Sequence, residues 1–235
     1  IQYPISKGNQ KLIIVLLNLF RDQLDRYGEV DVIAEKWEKA LREQGQQGQQ
    51  DEKDSNARKT NSIQIIANAD DPLIAHLGLQ AKLPVTYFGI NDKTKYLSHM
   101  EHATDSIFCL NCGARLHYEG VYFSHIGIWN CPQCGEKRPM PNVQMAVSPL
   151  PGLYNMYNTL AAVAVAQALD IKQKTISKAL TGFLPAFGRQ EKIGDVTIFL
   201  SKNPDGFNES LRTVIELNAK NILLLCDAGG ANSYR

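Results

Sequence analysis

The stretch SIQIIANADDPLIAHLGLQAKLPVTYFGI, residues 62–90, decides how the chain folds. SIQIIAN (62–68) is a short apolar run, as expected of a strand buried on both faces. ADDPLIAHLG (69–78) follows at once. An Asp ahead of a Pro in the first turn is a helix-start signal. The carboxylate accepts from free amide N–H groups, and Pro has no N–H to leave unpaired. LPVTYFGI (83–90) is a strand again.

Upstream, KLIIVLLN (11–18) is a continuous apolar run and reads as another strand buried on both faces. VDVIAEKWEKALREQ (30–44) places Ile33, Trp37, Ala40 and Leu41 at helical spacing, so an amphipathic helix is expected. GQQGQQDEKDSNARKTN (45–61) is Gln-rich and polar and is expected as a surface loop. The order strand, helix, strand, helix, strand predicts an α/β domain with a parallel sheet.

Downstream, LYNMYNTLAAVAVAQAL (153–169) and KTISKALTGF (174–183) read as helices. GDVTIFLS (194–201) is expected as a strand, FNESLRTVIELNA (207–219) as a helix and NILLLCD (221–227) as a last strand. Pro185 and Gly188 punctuate the chain, which sets a domain boundary between Leu184 and Arg189. The expected domains are therefore 1–184 and 185–235. The second has too few elements for a complete sheet, and the chain starts at Ile1 rather than Met, so both domains are expected to be partial.

Between the third strand and the small-residue helix lies CLNCGARLHYEGVYFSHIGIWNCPQCG, Cys109 to Gly135. Two Cys-x-x-Cys-Gly pairs with this spacing predict two knuckles that present four thiolates to one tetrahedral metal. The expected ligands are Cys109, Cys112, Cys131 and Cys134, and the expected insert spans 107–139. Four cysteines close the coordination shell, so zinc here is structural rather than catalytic. His117 and His125 are not needed as ligands and are expected on the surface or in packing. Tyr118, Tyr122, Phe123 and Trp129 are expected to form the ribbon's own small core. The fifth cysteine, Cys226, is expected as a buried small hydrophobe.

The 235 residues carry 25 Lys and Arg against 24 Asp and Glu, a net charge of +1. That balance gives no basic footprint for nucleic acid or an anionic membrane. The longest apolar run, Leu12 to Leu17, is far below the ~20 residues that span a bilayer. The cysteine pattern fits a reducing, intracellular setting better than a disulfide framework.

Three further segments fall into one pattern: LLNLFRDQLDRYGEVDVIAEKW (16–37), LPGLYNMYNTLAAVAVA (150–166), and FGR (187–189) with LSKNPDGFNES (200–210). Together they resemble the Mur ligases, ATP-dependent ligases that build peptidoglycan stem peptides. The cysteine ribbon, RDQLDRYGE and KNPDGFNE are more narrowly similar to the MurT group, the ligase-like subunits of lipid II isoglutaminyl synthase. The resemblance covers residues 12–227. It implies a Mur-type central domain with an inserted zinc ribbon, followed by part of a C-terminal α/β domain.

The resemblance also implies site residues. Asn155 and Asn158, three apart near a helix start, stand where the family reads adenine. Asn155 also has a capping alternative. Arg189 and Lys202 stand where the closing C-terminal domain meets ATP. Asp22 marks a magnesium or phosphate region, although Asp22-Gln23 replaces the family's Asp-His pair. Asp25 is a second oxygen donor there, and both carboxylates could equally cap the chain or pair with Arg21 and Arg26. Lys36 is the nearest match to a carbamylated lysine. Leu200 replaces the acidic ribose-binding residue. No residue is assigned to catalysis itself. The chain has no G-x-x-x-x-G-K-[ST] loop, which implies that this stretch alone is inactive. The implied cofactors are ATP, magnesium and zinc. The implied partners are a GatD-like glutamine amidotransferase subunit and lipid II, in a cytoplasmic protein working at the inner face of the cell membrane. Nucleic acid is not an expected partner. Two other readings stay open: a conventional Mur-type amino-acid ligase, and a zinc-ribbon binding module.

Overall fold

A computed structural model describes residues 11–21, 29–53, 63–100, 104–144, 147–183, 190–202 and 204–225. Its centre is a three-stranded sheet of β1 (Leu12–Leu16), β2 (Ile63–Asn68) and β3 (Val85–Phe88), in the order β1-β2-β3. Both pairings are parallel: Leu12 faces Ile63, and Ile65 faces Val85. The alternation and parallel sheet expected from the sequence are therefore present. β2 is central, and its Ile65, Ile66 and Ala67 are fully buried. β1 lies at the sheet edge, with Val15 and Leu17 exposed, so the expected burial of its two faces is not met among the described residues.

Strand side chains alternate between faces, and this splits the core in two. Ile65 and Ala67 join Leu16, Leu19 and helices α1 (Val30–Lys53) and α2 (Pro72–Gln80) on one face. Ile66 joins Phe88 and helices α3 (Leu153–Ala168) and α4 (Gln173–Thr181) on the other. The buried stripe of α1 runs Val30, Ala34 and Leu41, with Trp37 half-buried, and Ala40 faces solvent.

The helix also runs further than expected. Residues 45–53 continue α1 instead of forming a loop, and 54–61 lie outside the described residues. Gln is a good helix former, so a polar Gln-rich run need not be a loop. Gly45 is buried, and a Cβ there would lie 2.4 Å from the Ala81 carbonyl oxygen at the end of α2. That close approach is why the helix carries a glycine.

The insert is a hairpin of β4 (His117–Phe123) and β5 (Ile126–Asn130), antiparallel, with one knuckle on each side. The expected small core of the ribbon is met in part, because its aromatics divide between two clusters. Tyr122, Phe123 and Ile126 pack into the main core with Phe88, Tyr157 and Leu160. Trp129, Leu116, Cys109 and Cys131 pack on Ala75 of α2. A hairpin this short has too little apolar surface to close on itself entirely, so each cluster is completed by residues of the domain.

The segment after 190 departs most from expectation. Instead of one strand over 194–201 there is a small antiparallel hairpin, β6 (Glu191–Ile193) and β7 (Val196–Ile198). Gly194 turns it with φ +58°, a backbone region where glycine carries no Cβ clash. Helix α5 spans Pro204–Glu216. Residues 221–225 form no strand and are exposed, because no described strand lies beside them, and Asp227 falls outside the described residues. The expected boundary at 184–189 and Cys226 also lie outside them. No helix among the described residues is long and apolar enough to cross a membrane.

Candidate metal centre and the carboxyl ends of the strands

The two knuckles bring Cys109, Cys112, Cys131 and Cys134 together, with all four sulfurs within 4.8 Å of one another. Cys109 Sγ lies 3.6 Å from Cys134 Sγ, and Cys112 Sγ lies 3.5 Å from Cys131 Sγ. A tetrahedral zinc with ~2.3 Å bonds needs sulfurs about 3.8 Å apart, so the cage fits that ion. Each knuckle closes by the same bond: Gly113 N–H to Cys109 O at 2.8 Å, and Gly135 N–H to Cys131 O at 3.1 Å. Both glycines have positive φ, +75° and +79°.

The thiols differ in acidity. The Asn111 side chain and the Glu136 amide pull Cys134 down to about 6, while burial pushes Cys109 up to about 12. A metal binds thiolates, so near neutral pH it displaces a proton chiefly from the buried kind. His117 is exposed and His125 is buried. Neither joins the cage, as the sequence predicts. The chemistry available to four sulfurs with no open position is structural.

Several of the bonds that tie the insert to the domain converge on Ala69 and Asp70, just past the carboxyl end of β2. Trp129 Nε1 donates to Ala69 O at 3.0 Å, and Gly127 N–H donates to Asp70 O at 2.9 Å. Asp70 is fully buried. Its Oδ1 accepts from Arg138 Nε at 2.6 Å. Its Oδ2 accepts from Tyr157 Oη at 2.6 Å and from Ile90 N–H at 2.8 Å. Arg138 Nη2 and Tyr122 Oη then share Ile90 O at 3.0 and 2.7 Å. Burial pushes the Asp70 carboxyl up, against the pull of Arg138, Tyr157 and the Ile90 amide. Burial also keeps Tyr157 and Tyr122 as neutral phenols, well above their ordinary range.

Asp71 performs the capping read from the sequence. Its Oδ1 accepts from Leu73 and Ile74 N–H at 2.9 and 3.2 Å. Its Oδ2 also accepts from Leu19 N–H at 2.8 Å, which ties the exit of β1 to the start of α2. On the outer side, His76 Nδ1 lies 2.8 Å from Glu136 Oε1 beside the second knuckle. No spacing in the sequence flags Asp70 or Arg138. The only local signal is the doubled Asp before a helix, and its two carboxylates face different partners.

The residues that the resemblance assigns to the nucleotide are spread over several elements. Asn155 and Asn158 both lie in the first turns of α3, but they do not share an environment: Asn155 is buried and Asn158 is exposed. One step of three residues turns a helix by roughly 300°, enough to move a side chain from inside to outside. Asn155 Nδ2 donates to Pro151 O at 2.6 Å and to Gln190 Oε1 at 3.1 Å. Its amide thus fastens α3 to the residue next to Arg189. Gly152, the N-cap of α3 at φ +94°, lies against α5, where a Cβ would be 2.6 Å from Thr213 Oγ1. Lys202 is exposed ahead of α5, and Lys36 is exposed on α1. Arg189, Asp22 and Asp25 lie outside the described residues.

Of the four ribbon aromatics, Tyr122, Phe123 and Trp129 are buried and Tyr118 is half-buried.

No family model matches the chain. Curated relatives do. The chain is 27% identical, over 91% of its length and 49% of theirs, to the MurT subunit of lipid II isoglutaminyl synthase (glutamine-hydrolyzing) from Staphylococcus aureus strain COL. It is 28% identical, over 87% of its length and 47% of theirs, to the MurT subunit from Streptococcus pneumoniae strain R6. Among solved structures, a pseudomurein peptide ligase type C from Methanothermus fervidus superposes with TM-score 0.65 at 27% identity, covering 86% of this chain and 40% of that one. The chain spans about half the length of the curated relatives it matches.

Proposed function

We propose that the chain is part of a Mur-type carbon–nitrogen ligase of peptidoglycan synthesis, the ligase-like subunit of a lipid II isoglutaminyl synthase. The observation that carries this reading is the pairing of two features. A closed four-cysteine cage is built into a parallel α/β core, and the chain aligns with MurT subunits over about nine-tenths of its length.

The reaction begins with transfer of the ATP γ-phosphoryl group to the α-carboxylate of the D-isoglutamate residue in the lipid II stem peptide. This gives an acyl phosphate and ADP. Ammonia attacks the acyl carbon, phosphate leaves with the C–O bond electrons, and D-isoglutamine forms with loss of one proton. A GatD-like glutaminase subunit supplies the ammonia from glutamine. Catalysis of such a transfer is positioning plus neutralisation of phosphate charge.

Asn158, exposed near the start of α3, is the adenine reader in this proposal. An amide can both donate to and accept from the base edge. Asn155 holds the helix start to Gln190, beside Arg189. Arg189 and Lys202 neutralise phosphate charge. Asp22 and Lys36 belong to the magnesium and phosphate region, where a bound magnesium would supply positive charge to offset that of the phosphates. Zinc on the four cysteines is structural. The site of action is the cytoplasmic face of the membrane, where the lipid-linked substrate is presented. The 235 residues alone, lacking a phosphate loop motif, are expected to be inactive.

The test uses the full-length protein co-expressed with its glutaminase partner, lipid II and ATP. ADP release that requires glutamine or ammonia, with carboxylate-to-amide exchange in the stem peptide by mass spectrometry, is the expected result. ADP release driven by an amino acid instead would identify a conventional Mur-type ligase and overturn the proposal. Salt-sensitive nucleic-acid binding without nucleotide turnover would point to the binding-module reading.

A further inference from the structure

Three consecutive residues leave the carboxyl end of β1, and each is held by a different group. Leu19 donates its N–H to Asp71 Oδ2 at 2.8 Å. The Phe20 ring lies 5.9 Å from that of Phe123 and 4.8 Å from that of His125. Arg21 is bound twice by Asp105: its backbone N–H reaches Oδ2 at 2.8 Å, and its Nε reaches Oδ1 at 2.8 Å. The Asp105 side chain is only 5% exposed, while that of Arg21 is 56% exposed. A buried carboxylate that commits both oxygens to one residue's amide and guanidinium fixes the main chain as well as the side chain.

Phe123 and His125 belong to the cysteine hairpin, and Asp105 lies in its lead-in. The lead-in is itself pinned to the ribbon. Tyr118 Oη donates to Ser106 O at 2.9 Å and to His125 O at 3.0 Å. Leu116 N–H donates to Ile107 O at 2.9 Å, and Cys109 N–H donates to Ala114 O at 2.8 Å. A continuous path of bonded groups thus runs from the first knuckle through residues 109, 107 and 106 to Asp105, and from there to Arg21.

In open parallel sheets, ligands bind outside the carboxyl ends of the strands. Residues 19–21 stand at that edge, beside Asp71 at the end of β2. We propose that the four-cysteine insert is a positioning device for the segment leaving β1, with Asp105 as the positioning residue and the metal-bound knuckles as its anchor. The catalytic consequence rests on the ligase reading given above, whereas the mechanical coupling stands on the contacts alone.

The experiment compares the full-length wild type with Asp105→Ala and Asp105→Asn, in complex with the partner subunit. Amide hydrogen exchange, zinc content, and KM and kcat for ATP are measured. Asp105→Ala is expected to speed exchange across residues 19–21 by about tenfold or more, the usual effect of losing a charge-assisted bond. Zinc content and exchange in α3 should stay at wild-type values. Asp105→Asn, which keeps an acceptor for the Arg21 amide, should fall between the two. Stripping zinc from wild type with a chelator should loosen 19–21 as well as the knuckles. KM for ATP should rise by a larger factor than kcat falls.

Unchanged exchange at 19–21 in Asp105→Ala would overturn the proposal. So would zinc loss that loosens 109–134 and leaves 19–21 protected, whereas loosened exchange with unaltered ATP kinetics would overturn the catalytic consequence alone. Wild-type protein that shows the exchange pattern but no ATP-dependent ligation would sink the ligase reading and leave the coupling standing.

Discussion

Replacing Arg138 by Met removes the cation bound to the fully buried Asp70 carboxylate and keeps most of the side-chain volume. Asp70 Oδ1 loses its 2.6 Å donor, while Oδ2 keeps the Tyr157 hydroxyl and the Ile90 amide. Ile90 O keeps the Tyr122 hydroxyl. Removing one partner of a buried ion pair costs about 3–5 kcal/mol. Two donors remain on Asp70, so the lower end, ~3 kcal/mol, is expected. For a chain of this size that is a fall in Tm of roughly 6–12 °C.

The pH dependence gives a second, independent reading. Burial already holds the Asp70 carboxyl above its ordinary 3.8. A carboxyl with a raised folded pKa favours the fold in its protonated form, and that contribution is lost as pH rises through the folded value. Without Arg138 the folded value rises further. The deficit of Arg138→Met against wild type should therefore be greatest at neutral pH. It should shrink as pH falls through the raised value toward 3.8. Urea and thermal melts at several pH values read both effects. Adding Asp70→Asn to Arg138→Met should recover part of the loss, because the neutral amide oxygen still accepts from Tyr157 and Ile90. A loss under about 1 kcal/mol, or a loss independent of pH, would refute the claim that this pair carries a desolvated charge.

Three other outcomes are expected. Metal analysis should find one zinc per chain, and chelation should lower Tm and increase exposure of Trp129, read by its fluorescence, because Trp129 packs with Cys109 and Cys131. Asn158→Ala should weaken ATP binding by calorimetry without moving Tm, whereas Asn155→Ala should cost about 1–2 kcal/mol by losing its bonds to Pro151 and Gln190. Asp71→Ala should cost about 2–3 kcal/mol in a chemical melt, since two capping amides of α2 and the Leu19 amide all lose their acceptor.

The readings that succeeded rest on local chemistry. The apolar runs at 12–16, 63–68 and 85–88, separated by helical patterns, dictate a parallel sheet because each strand must bury both faces or find a partner. The Asp71 cap and the paired knuckles follow from short-range geometry, since backbone amides and thiols only a few residues apart have few other arrangements. The readings that failed rest on what neighbours supply. Gln-rich 45–53 is helical because Gly45 docks on Ala81, a contact that no window of sequence displays. Run 194–201 is half of a hairpin, and 221–225 is no strand among the described residues, because apolarity alone does not provide a sheet partner.

The sequence by itself determined the element order, the parallel α/β class and the four sulfur ligands, because each is fixed by residues near one another along the chain. Only the tertiary structure decided that the cysteine hairpin is part of the main core and not an appendage. It alone brought Asp70, Arg138 and Tyr157 into one buried node, and it alone turned Asn155 inward and Asn158 outward. Those facts depend on which distant surfaces meet. Burial, charge pairing and the exit path of β1 are properties of the packed molecule, and residues 70, 138 and 157 carry no mark in the linear text of the partners they will find.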